Sequence, residues 1–528
     1  MYRHFLSVGG LTLVSRGTGF LRDMVLATIL GAGAIADAFV VAFRLPNQFR
    51  AIFGEGAFNS AYVPSYSRVL EREGSTEAGA FASQIFTILL LSQLIVLALA
   101  EMFTPTLVGL LAPGFDAEPE KLAHAIVMTR ITFPYLFCMV LVTLQSGTLN
   151  AHRKFAAAAF APVLLNLFMM AFLALGWLFP DAGVAASVGV TASGVAQLAL
   201  MFWAARRAGL LERFVRPRLG PNVRQFFRAL GPAVIGSAGP QIAIFADTII
   251  SSMLPTGGPS SIYYADRIFQ FPVGVIGVAA GTVLLPEMSR YFSAGDSAGA
   301  LQAQNRTMAL TLALAAPFFL AFILIPNEIM RGVFLHGKFT AEAASASAAV
   351  LSAYGFGLLP FLLISSARSG FQARGNTTIP MVASLVAVAC NLALKLALYK
   401  HLGAVGLATA TAAGAWVNLL ILSGIGWRQG VMRPDDILAR VALAVDAAAF
   451  VLGAFVYIVE PFFARLTLAR RFGNQLHLAA LGAGGSLVYI AMLALALWAL
   501  QVRLPRPGRR KAGKARLRKI HAGAGTRP

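Results

Sequence analysis

Arg16, Arg22 and Asp23 interrupt an apolar run near the start of the chain, "FLSVGGLTLVSRGTGFLRDMVLATILGAG". An arginine or aspartate near the centre of a hydrocarbon layer costs about 2.5–3.5 kcal/mol, so such residues mark a use. Other apolar blocks carry Asp37, Arg44, Arg50 and Glu55, then Arg130, Asp247, Asp266, Arg267 and Lys395. A guanidinium is a planar fork that grips phosphate or carboxylate through two parallel hydrogen bonds, which an ammonium cannot do. The deep positions set Arg16, Arg22, Arg50 and Arg267 against Asp23, Asp37, Glu55 and Asp266. Charge sign is therefore balanced, and it is the choice of arginine over lysine that points to an oxyanion. The competing use is structural: Arg–Asp pairs that hold helices together.

Spacing limits how these groups meet. Arg16 and Asp23 are seven residues apart and share a helical face, while Arg22 points about 120° away from them on an ideal helix. Gly17 and Gly19 allow distortion there. Arg50 and Glu55 also do not share a face. Any convergence must come from several helices around a cavity. Other chemistries lack their residues: no GxxxxGK[ST] phosphate loop, no HExxH and no Cys/His cluster occurs. Cys138 and Cys390 lie in apolar blocks and form no disulfide scaffold. No nucleophile–base pair and no long soluble loop is evident, so a transporter is expected rather than an enzyme.

The elements that carry these residues are membrane spans. Of the 528 residues 58% are hydrophobic and 12% charged, about half the charge of a soluble protein. Fourteen apolar cores follow one another: 5–30, 36–66, 81–110, 123–149, 156–179, 184–205, 228–253, 262–286, 306–326, 344–372, 379–399, 403–427, 437–459 and 476–501. Pro46 and the glycines at 54 and 56 predict a bend in the second. The net charge of +21 sits in loops and so argues against nucleic acid: ten Lys/Arg lie between Arg503 and Arg527, and seven between Arg206 and Arg228. With a cytoplasmic N-terminus, 28 loop Lys/Arg fall inside and seven outside, which orients the chain with both termini cytoplasmic.

An internal repeat organises the spans. Residues 47–68 match 269–290 at a shift of 222, through Gln48/Gln270, Phe49/Phe271, Ala57/Ala279, Pro64/Pro286, Ser67/Ser289 and Arg68/Arg290. The same shift pairs core one with seven and two with eight. The reading is an all-α membrane protein of two six-helix lobes, 1–215 and 216–430, related by a pseudo-two-fold along the membrane normal. Residues 431–502 add two helices and 503–528 a basic cytoplasmic tail.

The motifs "SRGTGFLRD" (15–23), "GAGAIADAF" (31–39), "FRLPNQFRAIFGEGAFNSAYVP" (43–64), "APGF" (112–115), "RITFPYLF" (130–137), "FAPVLLN" (160–166), "YYADRIFQFPVGVIGVAAGTVLLPEMS" (263–289) and "GKFT" (337–340) resemble the bacterial lipid II flippases of the MurJ/MviN family. By motif the resemblance covers about residues 1–430, and by span count the whole chain. It implies a fourteen-helix member of the multidrug/oligosaccharidyl-lipid/polysaccharide exporter superfamily in the bacterial inner membrane. Its implied substrate is lipid II, the undecaprenyl-diphosphate-linked peptidoglycan precursor, moved to the outer leaflet by alternating access. It further implies cavity roles for Arg16, Arg22, Asp23, Asp37, Arg50, Glu55 and Arg267, a lipid-tail groove at the last two helices, and contact with membrane lipids and cell-wall synthesis proteins. Moving an anion out of a negative interior is favourable, so membrane potential is the expected driving force.

Some members hold a sodium ion between helices seven, eleven and twelve; at matching positions here Asp247, Asn391 and Thr411 would supply oxygens. Lys395, one helical turn from Asn391, would neutralise Asp247 instead, and this internal pair is the expectation. A cation-coupled multidrug exporter, or a flippase for another polyprenyl-diphosphate oligosaccharide, is the alternative.

Overall fold

A computed structural model describes residues 2–50, 57–467 and 472–502, and among these every regular element is helical. In hydrocarbon each backbone N–H and C=O must bond within its own segment, which apolar runs of this length achieve as helices. In chain order they are α1 (Tyr2–Leu30), α2 (Ala34–Arg50), α3 (Ala57–Met102), α4 (Thr104–Leu111), α5 (Pro119–Ala151), α6 (Ala156–Ala174), α7 (Ala182–Ala208), α8 (Pro221–Ser252), α9 (Gly258–Pro272), α10 (Val278–Ser293), α11 (Ser297–Leu324), α12 (Pro326–Phe334), α13 (Ala341–Gln372), α14 (Thr378–Arg428), α15 (Asp436–Thr467) and α16 (Gly473–Ala499).

Among the described residues nine of these helices are long and apolar enough to cross a membrane: α3, α5, α6, α7, α11, α13, α14, α15 and α16. Two of them fold back on themselves. Gly74 in α3 has φ 88° and Gly403 in α14 has φ 54°, left-handed values that end one helical course and start another. The expected second core, 36–66, is split between α2 and α3, with 51–56 outside the described residues. Core eight is split too: Pro272 ends α9, and a π-helical turn, Val273–Gly277, joins it to α10.

α1, α2, α3, α5, α6 and α7 pack into one group, and α9, α10, α11, α13 and α14 into a second. α15 and α16 pack on each other, α15 against α11 and α16 against α12. α8 touches both groups: Phe226 in its second turn stacks edge-on against Phe58, Tyr62 and Phe81, and its far end meets α9 and α14. The boundary expected at 215/216 therefore falls in a connecting segment that lies on the first group.

Candidate functional site

α1, α2, α8, α9, α13 and α14 enclose a cavity of about 970 Å³ between the two groups. Among the described residues its wall carries five cationic side chains, Arg16, Arg22, Arg44, Arg267 and Lys395, and three carboxylates, Asp23, Asp247 and Asp266. The set differs from the one drawn from the sequence: Asp37 leaves it, Arg44, Lys395 and Asp247 join it, and the Arg50 side chain and Glu55 lie outside the described residues.

The carboxylates do not bind these cations equally. Arg22 donates from Nε and Nη2 to Asp23 Oδ1 at 3.0 and 2.7 Å, and from Nη1 to Asn166 Oδ1 on α6 at 3.1 Å. Asn166 in turn donates to Ser15 O at 3.1 Å and Thr18 Oγ1 at 3.0 Å, so α6 grips α1 at this level. Gly19 faces the same amide, and a Cβ there would already be in contact at 3.5 Å. Tyr263 of α9 donates its hydroxyl to Asp23 Oδ1 at 3.0 Å. Arg22 and Asp23 are thus a buried, satisfied pair, with side chains 9% and 5% exposed.

Arg267 is held more loosely. Its Nε lies 3.9 Å from Asp23 Oδ2 and its Nη2 lies 3.8 Å from Asp266 Oδ2, too far for hydrogen bonds. Its guanidinium stacks 4.7 Å from the centre of the Tyr263 ring, which fixes the plane and leaves the edge free. Buried Nε has no hydrogen-bond partner. Arg16 reaches across from α1 to the π-helical turn, where a side chain at Gly274 would collide with its guanidinium. Among the described residues neither Arg16 nor Arg44 has a carboxylate partner. Three arginines with free donors therefore face one cavity. Such a wall suits a ligand with several anionic oxygens.

On the α8/α14 wall, Lys395 Nζ is bonded to Asp247 Oδ1. Thr411 donates to its own helix at Leu407 O, 3.0 Å away, and Asn391 Oδ1 is buried with no hydrogen-bond partner.

Asp37 does not line the cavity. It is fully buried where the two helix groups meet, accepting from the backbone N–H of Gly257 at 2.8 Å and of Ser260 at 2.9 Å, with Lys121 Nζ at 3.2 Å. It therefore caps the N-terminus of α9 from the other lobe. The shift of 222 residues pairs position 37 with position 259, so this contact joins near-equivalent positions of the sequence repeat. Around it, Lys338 N–H donates to Thr28 O at 2.8 Å and Tyr264 donates to Gly31 O at 2.9 Å. Gly31 has φ +71°, and a Cβ on it would stand 2.6 Å from Lys338 O. These contacts seal the cavity at the face where α1 ends. Its lining residues on α1, α2 and α9 lie on the other side of the seal, toward the face where α1 begins.

Of the remaining candidates, Arg50 is the last residue of α2 with its side chain outside the described set, and Glu55 lies outside the described residues. Sequence reasoning missed Asn166, Tyr263, Arg44 as a lining residue, and Lys121. Asn166 and Tyr263 lie inside two of the quoted motifs, but neither bears a charge that would single it out.

The family described as "Lipid II flippase MurJ" matches residues 26–469. A "Probable lipid II flippase MurJ" of Rhizobium meliloti (strain 1021) is 40% identical over 466 residues, covering 87% of each chain. The "Lipid II flippase MurJ" of Burkholderia cenocepacia is 31% identical over 468 residues, covering 87% of this chain and 90% of that one. Among solved structures, "Lipid II flippase MurJ, inward closed conformation" superimposes with a TM-score of 0.75 at 22% identity, covering 93% of this chain and 99% of that one. An inward-facing multidrug resistance MATE family transporter of the MOP superfamily gives 0.63 at 14% identity, covering 80% and 94%. At these identities the two structures speak for the fold.

Proposed function

This chain belongs to the lipid II flippase MurJ family, and we propose that it carries lipid II across the cytoplasmic membrane, headgroup first through the central cavity. It is a multi-pass membrane transporter. The supporting observation is that, among the described residues, the cavity wall sets five cations against three carboxylates, with Arg16, Arg44 and Arg267 left with donors to spare. A diphosphate cannot enter hydrocarbon unaided, because burying an unpaired ion costs tens of kcal/mol in the Born limit. Guanidiniums from both lobes replace part of its lost hydration: Arg16 from α1, Arg44 from α2 and Arg267 from α9. Arg22 and Asp23 hold that arrangement in place, and Asp23 also draws Tyr263 under Arg267. The excess of positive charge disfavours the cationic drugs of the multidrug alternative.

The loop charges orient the bundle, with the face where α1 begins in the cytoplasm. The cavity then receives the headgroup from the inner leaflet while the Asp37 cluster seals the outer side. Transport requires that cluster to part as the lobes rock. The lipid tail stays in hydrocarbon along α15 and α16, where Phe450, Tyr457, Phe462, Leu487 and Trp498 are exposed. Membrane potential favours the step: an anion moving out of a negative interior gains about 2.3 kcal/mol per charge per 100 mV. The wall at Asp247 suits a tethered ammonium better than a free sodium ion, because Lys395 already holds the carboxylate and Thr411 points its proton at its own helix.

The test is reconstitution of the purified chain in vesicles with fluorescent lipid II. Headgroup-specific flipping that falls in Arg267→Ala supports the reading; equal flipping by the variant removes it.

A further inference from the structure

α7 and α8 are joined by residues 209–220, a stretch without regular secondary structure that is nonetheless fixed. Three of its backbone N–H groups donate to side chains of α3: Arg213 to Ser83 Oγ at 3.1 Å, Val215 to Thr87 Oγ1 at 3.1 Å and Arg218 to Gln84 Oε1 at 2.7 Å. Glu212 points inward and is 6% exposed. Its carboxylate accepts from Gln145 Nε2 at 2.7 Å and Thr148 Oγ1 at 3.1 Å on α5. One side of the segment is therefore bonded to the helices beneath.

The other side has a distinct composition. Leu211, Phe214 and Leu219 are 42%, 65% and 60% exposed, and Arg213, Arg216 and Arg218 alternate with them, also exposed. Among the described residues none of these three arginines has a carboxylate partner. Neighbouring Trp203 is 55% exposed with the Arg207 guanidinium 4.7 Å from its ring centre. Level follows from helix length. After Gly74, α3 runs on for residues 75–102, roughly 42 Å at 1.5 Å per residue against a hydrocarbon core of about 30 Å. Its apolar part is 81–100, about 30 Å long between the polar start at 75–80 and Glu101, so Ser83–Thr87 and the strap bonded to them lie near the boundary between headgroups and acyl chains. Large apolar side chains alternating with arginines at that depth are the composition of an interfacial anchor.

We propose that residues 211–219 form a fixed strap that binds anionic phospholipid headgroups at this face. Arg213, Arg216 and Arg218 take the phosphates, while Leu211, Phe214 and Leu219 enter the acyl boundary. The partner is identified by charge complementarity: a zwitterionic headgroup offers three free guanidiniums no net attraction.

The experiment labels Leu219→Cys with an environment-sensitive fluorophore in the full chain, with Cys138 and Cys390 changed to Ser, in nanodiscs with or without phosphatidylglycerol. A quencher carried at the headgroup–acyl boundary reports depth, and aqueous iodide reports exposure. Lipid-borne quenching that grows with phosphatidylglycerol, is lost in R213Q/R216Q/R218Q and persists when the same three positions are lysine supports the strap. The lysine variant also controls for folding. Iodide quenching in every composition, as for a surface that docks a protein, overturns it. So does lipid-borne quenching indifferent to lipid charge and to the arginines.

Discussion

Lys395 on α14 is bonded through its ammonium to the carboxylate of Asp247 on α8, across 148 residues of sequence. The lysine side chain is 3% exposed, whereas the aspartate opens to the cavity at 38%. A positive charge is thus built into the wall at the place where a free cation would otherwise neutralise the carboxylate. Replacing sodium by potassium in vesicle flipping assays is expected to leave the rate unchanged. Sodium-stimulated transport that Asp247→Asn abolishes would sink this assignment. Lys395→Met leaves the carboxylate without its partner, and because Asp247 meets cavity water the expected cost is about 1–2 kcal/mol rather than the 3–5 of a sealed pair. Thermal unfolding of the purified variant measures it.

Arg267 is oriented by the Tyr263 ring and has donors to spare. Arg267→Ala is expected to weaken lipid II binding roughly tenfold to a hundredfold, the size of a charge-assisted hydrogen bond of about 1.5–3 kcal/mol. Arg267→Lys keeps the charge but loses the fork and should also be impaired. Binding titrations with the diphosphate-bearing lipid, alongside growth when the variant is the only copy, give the readout. Normal growth with both variants contradicts the anion site.

Gly274 leaves room for the Arg16 guanidinium at the π-helical turn. Gly274→Val should displace that guanidinium and reduce lipid II affinity to about the level of Arg16→Ala. The double variant should be no worse than either single one, since both remove the same contact. Additive losses in the cycle would show that the two positions act separately.

Asp37 joins the lobes at the sealed face. Asp37→Asn leaves Lys121 with one carboxylate, Glu118 at 3.3 Å, beside the Thr256 hydroxyl, and loosening this buried cluster should cost about 3 kcal/mol of the sealed state. Ser261→Cys, buried beside it, should then react faster with a membrane-impermeant thiol reagent added outside. An unchanged labelling rate would mean the seal rests elsewhere.

Glu212 adds a pH dependence to the strap. Burial pushes its carboxyl up to about 7, and its neighbours are the phenols of Tyr62 and Tyr66, the latter hydrogen-bonded to His152, rather than a cation. The folded value exceeds the unfolded 4.5, so docking is strongest below about pH 4.5 and is lost as pH rises through about 7. The full span is worth roughly 3 kcal/mol. Amide exchange over 211–219, corrected for intrinsic rate, should therefore speed up between pH 6 and pH 8. Glu212→Gln should flatten that change.

The fold was legible in the sequence because hydropathy, loop charge and repeat spacing are properties of the line: each apolar block must bond its own backbone in lipid, so each becomes helix. The intramembrane charges were legible for the same reason, as departures from an apolar run. Their partners were not. Arg22 meets Asn166 at a separation of 144 residues and Asp37 meets Ser260 at 223, and no periodicity within a helix encodes which face another helix presents. That is why Asp37 reads as a cavity residue in sequence and stands in the structure as the cap of α9. Asn166, Tyr263 and the strap's Glu212 gave no signal because a polar residue becomes informative only through what it touches. Residue type and order determined that charged groups would have to be reconciled with a membrane; only the packing of two lobes decided which are spent on each other and which face the cavity.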